Sequence, residues 1–172
     1  DAKRRLDVAE GAFAEARVLY EKLYRSEPND LFFWKLILLY ERAADFRAME
    51  EIALGKLRAV PGDLGALNYL SRAYRGLGDA EKARAVLVQS AARNWADPDR
   101  VRNAANEFQA QNDFDAAADI FQTARAKMGN PDVYAFDLGR LHSARMHYLE
   151  ALTEYLKVIE THPAAYGLLE LM

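Results

Sequence analysis

The stretch Gly78-Asp79-Ala80-Glu81-Lys82-Ala83 returns 34 residues later as Asn112-Asp113-Phe114-Asp115-Ala116-Ala117, and this echo decides the fold class. The same phrase stands earlier as Ala44-Asp45-Phe46-Arg47-Ala48-Met49 and Gly11-Ala12-Phe13-Ala14-Glu15-Ala16, and later as Met146-His147-Tyr148-Leu149-Glu150-Ala151. Ala83, Ala117 and Ala151 fall 34 apart, Met49 holds that place one repeat earlier, and Ala16 lies 33 before Met49. Periods of this size mark stacked supersecondary units, none able to bury its apolar face alone. Function in such folds lives on the surface of the stack.

Each unit reads as two helices. Leu67, Leu70, Ala73 and Tyr74 recur at helical spacing until Gly76-Leu77-Gly78-Asp79 interrupts them. Glycine suits a helix end, and Asp79 can cap the next helix by accepting from its free N–H groups. That helix carries Ala80, Ala83, Val86, Leu87 and Ser90 on one stripe and ends near Trp95, before Pro98 opens the next unit. Equivalent places carry equivalent physics. Leu36, Leu70, Ala104 and Leu138 form one apolar column, and Tyr40, Tyr74, Phe108 and His142 another. Ile37, Ser71, Ala105 and Gly139 form a third, whose last three small members allow helix backbones to approach closely. The expected units are 1–29 (partial, with an inner helix before Gly11), 30–63, 64–97, 98–131 and 132–165 in one continuous domain. A further helix is expected to begin at 166–172; its apolar Leu168, Leu169, Leu171 and Met172 and the opening Asp1 suggest part of a longer chain.

Composition narrows the function classes. With 172 residues, 51% hydrophobic and 28% charged, the chain is not disordered and can build a sizeable core. A net charge of -3 argues against a non-specific polyanion binder. Cysteine is absent, which removes disulfides and thiolate chemistry but selects no compartment, so bacterial cytoplasm and periplasm are both compatible. The apolar run Leu31 to Tyr40 is about half of the roughly 20 residues a bilayer demands and has Lys35 in its middle, so a heavily buried helix is expected.

The columns together resemble the tetratricopeptide repeat family. The unit from Asp132 matches through Leu138, Gly139, Ala151, Tyr155 and Pro163, that from Pro98 through Ala105, Phe108, Ala117, Phe121 and Ala124, and that from Leu64 through Leu70, Tyr74, Ala83 and Leu87. In the unit near Asp30, Pro28 favours Trp34 as the tryptophan-like position whereas Tyr40 and Asp45 favour Phe33. The resemblance implies an all-α fold, a right-handed α-solenoid of antiparallel helix pairs. It also implies that the first helix of each pair lines a concave groove receiving an extended peptide or a partner's helix.

Projecting those helices onto such a groove selects Trp34 and Leu38, then Asn68, Arg72 and Arg75, then Arg102 and Asn106, then Phe136 and Arg140. Arginine pairs a carboxylate through a planar fork, so a ligand with acidic groups and a bulky apolar anchor would suit the face. A solvated mixed-charge surface is the competing reading. The family's dicarboxylate clamp for chaperone tails is absent: no register supplies its lysines and asparagines, and Asp137 would repel the carboxylate. Trp34 with Phe32 and Phe33 is either an anchor pocket or packing between repeats, Trp95 is a packing residue, and His142 a half-buried one rather than a metal ligand. No glycine-flanked serine turn or phosphate loop occurs, so an enzyme is not expected, and no cofactor. The sequence therefore points to a protein-binding or scaffold module. One alternative is a spacer or self-assembly segment of a larger, envelope-associated protein, associating through its C-terminal end. The other is an RNA-binding helical repeat using arginines beside Tyr69 and Phe136.

Overall fold

The structure, a computed structural model, describes residues 2–161, with side chains from Gly11 to Glu160. The expected helix at 166–172, Pro163 and the apolar C-terminal end lie outside the described residues. Within them the chain is all-α: α1 (Ala2–Ser26), α2 (Asp30–Arg42), α3 (Phe46–Ala59), α4 (Leu64–Gly76), α5 (Ala80–Ala92), α6 (Pro98–Ala110), α7 (Phe114–Met128), α8 (Ala135–Ala144) and α9 (Tyr148–Thr161).

The turns inside the pairs repeat to the residue. Ala44, Gly78, Asn112 and Met146 all take the left-handed conformation, with φ of 53°, 84°, 59° and 61°. At each, the next residue's N–H bonds back over the turn: Asp45 to Tyr40, Asp79 to Tyr74, Asp113 to Phe108 and His147 to His142, at 2.8 to 2.9 Å. The aspartates then cap the following helix, their Oδ1 accepting from the N–H of Ala48, Lys82 and Ala116. Each such cap is worth about 1 kcal/mol. Between pairs, Asn29, Asp63 and Asp97 do the same for Phe32, Ala66 and Arg100. The next member of that series is Pro131, whose side chain has no acceptor to offer, and α8 accordingly starts late, after a left-handed Tyr134 with φ of 60°. The loop is held instead by Arg125, whose Nε donates to the Val133 carbonyl at 2.9 Å.

One expectation is corrected. Gly11 does not separate two helices, because α1 runs unbroken from Ala2 to Ser26. Ala12 stands where Asp45 and its equivalents cap the next helix, so nothing stabilises a new helix start there.

The chain divides into two compact units, Asp1–Val86 and Leu87–Met172. In the first, α2 packs against α1 and α3, and α3 against α4, around Phe33, Leu36, Ile37, Tyr40, Met49, Ala53, Ala66, Leu70 and Ala73. Phe33 is fully buried and Trp34 is not, so the register follows Tyr40 and Asp45 rather than Pro28. Residues 31–40 are buried along one side only, since Leu31 and Leu38 stay 61% and 51% exposed. In the second unit α7 joins α6 to α8, which pairs with α9, around Leu87, Val101, Phe108, Ile120, Phe121, Leu138 and Leu141. Trp95 packs on the edge of that core. Burying one such large side chain contributes roughly 2 kcal/mol.

The small-residue column works within pairs. Ser71 Oγ donates to the Ala83 carbonyl at 3.0 Å, and Gly139 lies beneath the Tyr155 ring. Ala83, Ala117 and Ala151 are all buried.

Candidate functional site

Two faces carry the residues selected from the sequence, one in each unit. The α2 and α4 face is built around Trp34. The tip of its indole, Cη2, meets Gly65, where a Cβ would also come within 2.9 Å of Cζ2 and 3.1 Å of Cζ3, so glycine is what lets the ring edge abut α4. Tyr69, with its ring centroid 5.8 Å away, and Phe33, edge-on at 4.8 Å, fix the ring from two further sides. Trp34 is therefore half-buried packing with one edge outward, and Phe32 likewise tilts onto Tyr20 at 6.2 Å. Leu31 and Leu38 flank it in the open. Asn68 is half-buried beside them. Arg72 is engaged: its Nη1 donates to Glu41 Oε1 at 3.2 Å, and its guanidinium stands 5.2 Å above the Tyr69 ring. Arg75, one turn further on, is exposed.

The α6 and α8 face has the same plan with different chemistry. Arg102 forks onto Asp137, Nε donating at 3.1 and 3.2 Å and Nη2 at 3.1 Å. Those bonds raise the Arg102 guanidinium above its already high ordinary value, so it stays cationic throughout. Its other side faces the Tyr134 ring at 5.7 Å. Asn106 is exposed and accepts weakly from Gln109 at 3.4 Å. Phe136 is 37% exposed and tilts against Tyr155 at 6.0 Å. Arg140 is exposed. Among the described residues, Arg75 and Arg140 have no ion-pair partner.

Four arginines thus reduce to two available ones, because Glu41 and Asp137 already occupy Arg72 and Arg102. Sequence reading missed these pairs, although a signal existed. Trp34 meets Tyr69 and Arg102 meets Asp137 at a separation of 35, one repeat plus one residue. Glu41 meets Arg72 at 31, one repeat less about a turn.

His142 sits in its aromatic column half-buried, stacked on His147 with centroids 6.3 Å apart. Among the described residues no helix is long and apolar enough to cross a membrane.

No protein-family model matches the chain, and no curated protein matches it. Solved structures do. TTC0263, a thermophilic TPR protein in Thermus thermophilus, matches at 24% identity over 92% of this chain and 89% of its own, with a TM-score of 0.48. MamA matches at 17% identity over 92% of this chain and 94% of its own, with a TM-score of 0.50. At such identity the likeness speaks to fold: the chain is an all-α helical repeat of antiparallel helix pairs, with a tetratricopeptide-like solenoid fold.

Proposed function

We propose that the chain is a non-catalytic protein-interaction module that receives an extended partner segment on the first helices of its pairs. The observation that carries this reading is the α2 and α4 face, where Leu31 and Leu38 remain exposed around an indole immobilised by Gly65. A rigid aromatic edge with open leucines offers apolar anchorage at little ordering cost. Trp34 and Leu38 hold the apolar anchor, while Asn68 offers its amide to the partner's backbone. Arg75 takes an acidic group, and Arg72 contributes its stacked plane rather than its charge. On the second unit Phe136 and Arg140 play the anchor and charge roles, and Asn106 the amide. Arg102 is committed to Asp137 and holds the face in shape.

A displayed random-peptide library selected on the wild type tests this. The expected enriched sequences carry a bulky apolar residue near Asp or Glu, and lose binding to Leu38→Glu and to Arg75→Glu. Peptides that bind both variants as well as wild type would refute the face.

A second reading rests on α9. Leu149, Leu152 and Leu156 are 80%, 54% and 47% exposed, whereas the places of Leu149 in earlier pairs hold Arg47, Glu81 and Asp115. An exposed apolar stripe that begins at a place where the earlier pairs carry charge supports a spacer or self-assembly role. A concentration-dependent dimer dispersed by Leu149→Lys would favour it. Single-stranded RNA binding is the weaker reading, since two of the four facing arginines already hold carboxylates.

A further inference from the structure

A cavity of about 480 Å³ opens in the first unit between α1 and α3, above α2. That volume falls in the range of small-ligand sites. Its apolar wall comes from Ile52 and Leu54 over the buried Leu36 and Tyr40, with Tyr24 adding aromatic surface.

The sequence creates this space in a specific way. Gly55 lines it, and the equivalent places in the three later pairs hold Gln89, Thr123 and Lys157. Nothing in the packing asks for glycine at this position. An added Cβ would meet only the Arg58 guanidinium at an ordinary 3.7 Å, in contrast with Gly139, which lies beneath a ring, and Gly65, which abuts the edge of one. Its φ is not left-handed either. A glycine in a helix interior costs up to about 1 kcal/mol relative to alanine. Here that cost is returned in no contact; what it leaves is room.

The charges at the mouth make the same point. Two cations near the cavity are engaged: Arg17 reaches Asp45 at 3.4 Å and Glu21 at 3.7 Å, and Lys56 bridges to Asp30 and Asp63. Glu21 also accepts from the Tyr40 hydroxyl at 3.1 Å. Arg25 and Arg58 both line the cavity, and among the described residues neither has a hydrogen-bond or ion-pair partner. Glu51 on the same rim opposes multiply charged anions.

We infer that this cavity binds an apolar monocarboxylate, its body against Ile52, Leu54 and Tyr24 and its carboxylate between Arg25 and Arg58. Such a group is supplied by the C-terminal residue of a peptide or by a free aryl-alkyl acid. The site is distinct from the α2 and α4 face and does not depend on the role proposed for it.

Titrations monitored by amide shifts in ¹H–¹⁵N spectra test the assignment, with N-acetyl-leucyl-phenylalanine, its C-terminal amide and 4-phenylbutyrate as probes. The expected result is saturable shifts at Gly55 and Ile52 with the carboxylates, and binding about tenfold weaker for the amide, the cost of losing one charge-assisted contact. Arg58→Gln should weaken the carboxylates to a similar degree, and Gly55→Leu should abolish binding by filling the space. Tighter binding of the dipeptide identifies a peptide terminus as the source, tighter binding of phenylbutyrate a free acid. Absence of saturable shifts overturns the inference, as does an amide that binds equally well or an Arg58→Gln protein that binds like wild type.

Discussion

Gly139→Ala and Gly55→Ala are the same chemical change in two helices, and the structure gives them opposite signs. On α8, a Cβ at Gly139 would come within 2.6 Å of Tyr155 Cδ1 and 2.9 Å of its Cζ, and closer still to Cε1. Carbon atoms rest near 3.5–4.0 Å, so the ring must retreat by about 1 Å. Tyr155 is not free to do so, since its ring tilts on Phe136 and its hydroxyl meets Ser143 Oγ at 3.3 Å. Overpacking of this kind costs about 1–3 kcal/mol, and the strained hydroxyl contact adds up to about 1. Replacing a helical glycine returns about 1 kcal/mol, which leaves a net loss of about 1.5 at the middle of these ranges and at most about 3. At Gly55 the nearest atom is 3.7 Å away and only the gain remains. Urea unfolding followed at 222 nm measures both; with a slope near 2 kcal/mol per molar, the midpoint should fall by about 0.5–1 M for Gly139→Ala and rise by up to about 0.5 M for Gly55→Ala. Tyr155→Leu in the Gly139→Ala background should restore part of the loss. A Gly139→Ala protein as stable as wild type would refute the argument that this glycine exists to receive a ring.

The left-handed turns give a second pair of opposed outcomes. Met146 takes φ of 61° while 72% exposed, a conformation that costs an L-residue about 1 kcal/mol, so Met146→Gly should raise the thermal midpoint and Gly78→Ala should lower it. At Glu154, burial alone would raise the carboxyl. Bonds from Arg125 at 2.9 and 2.6 Å and from Lys157 at 3.0 Å outweigh that and hold it below the usual carboxylate range. The resulting stability is full above the ordinary value of 4.5 and drains away as pH falls through the lower folded value. Glu154→Gln should therefore lose about 1–2 kcal/mol at neutral pH, less than a fully buried pair because solvent screens this one, and show a shallower acid limb in pH-dependent unfolding. Burial, and then the charge and hydrogen bond of Glu21, push the Tyr40 hydroxyl up to about 12. Its contribution is complete below the ordinary 10.0 and lost on the way to about 12, so absorbance at 295 nm should show a late-titrating phenol that Tyr40→Phe removes.

What the sequence disclosed and what it hid follow from the range of the interactions. The turns were legible because their signal is local: an acid after a residue that tolerates a left-handed backbone, once every 34 residues. The same locality explains the error at Gly11, where the glycine was read without the missing acid at Ala12. Gly139 was legible through its column of small residues, but Gly65 was not, since only the folded chain places Trp34 against it. The cavity beside Gly55 was hidden for a similar reason: empty space belongs to three helices at once.

The candidate face carries less free charge than its residue types imply. Each arginine was counted alone, while a repeat array places the next first helix one period away, within reach of separations of 31 and 35. A guanidinium whose Nε and Nη2 are forked to Asp137 is already neutralised, and a second carboxylate at its remaining donors meets the charge of the first, so its addition gains little free energy. In the function proposed above, charge recognition is therefore assigned to Arg75 and Arg140, whose neighbours leave them unpaired among the described residues. If Arg72→Gln and Arg75→Gln weaken a selected acidic peptide equally, the Glu41 pair is not holding Arg72 and this apportioning of charge fails.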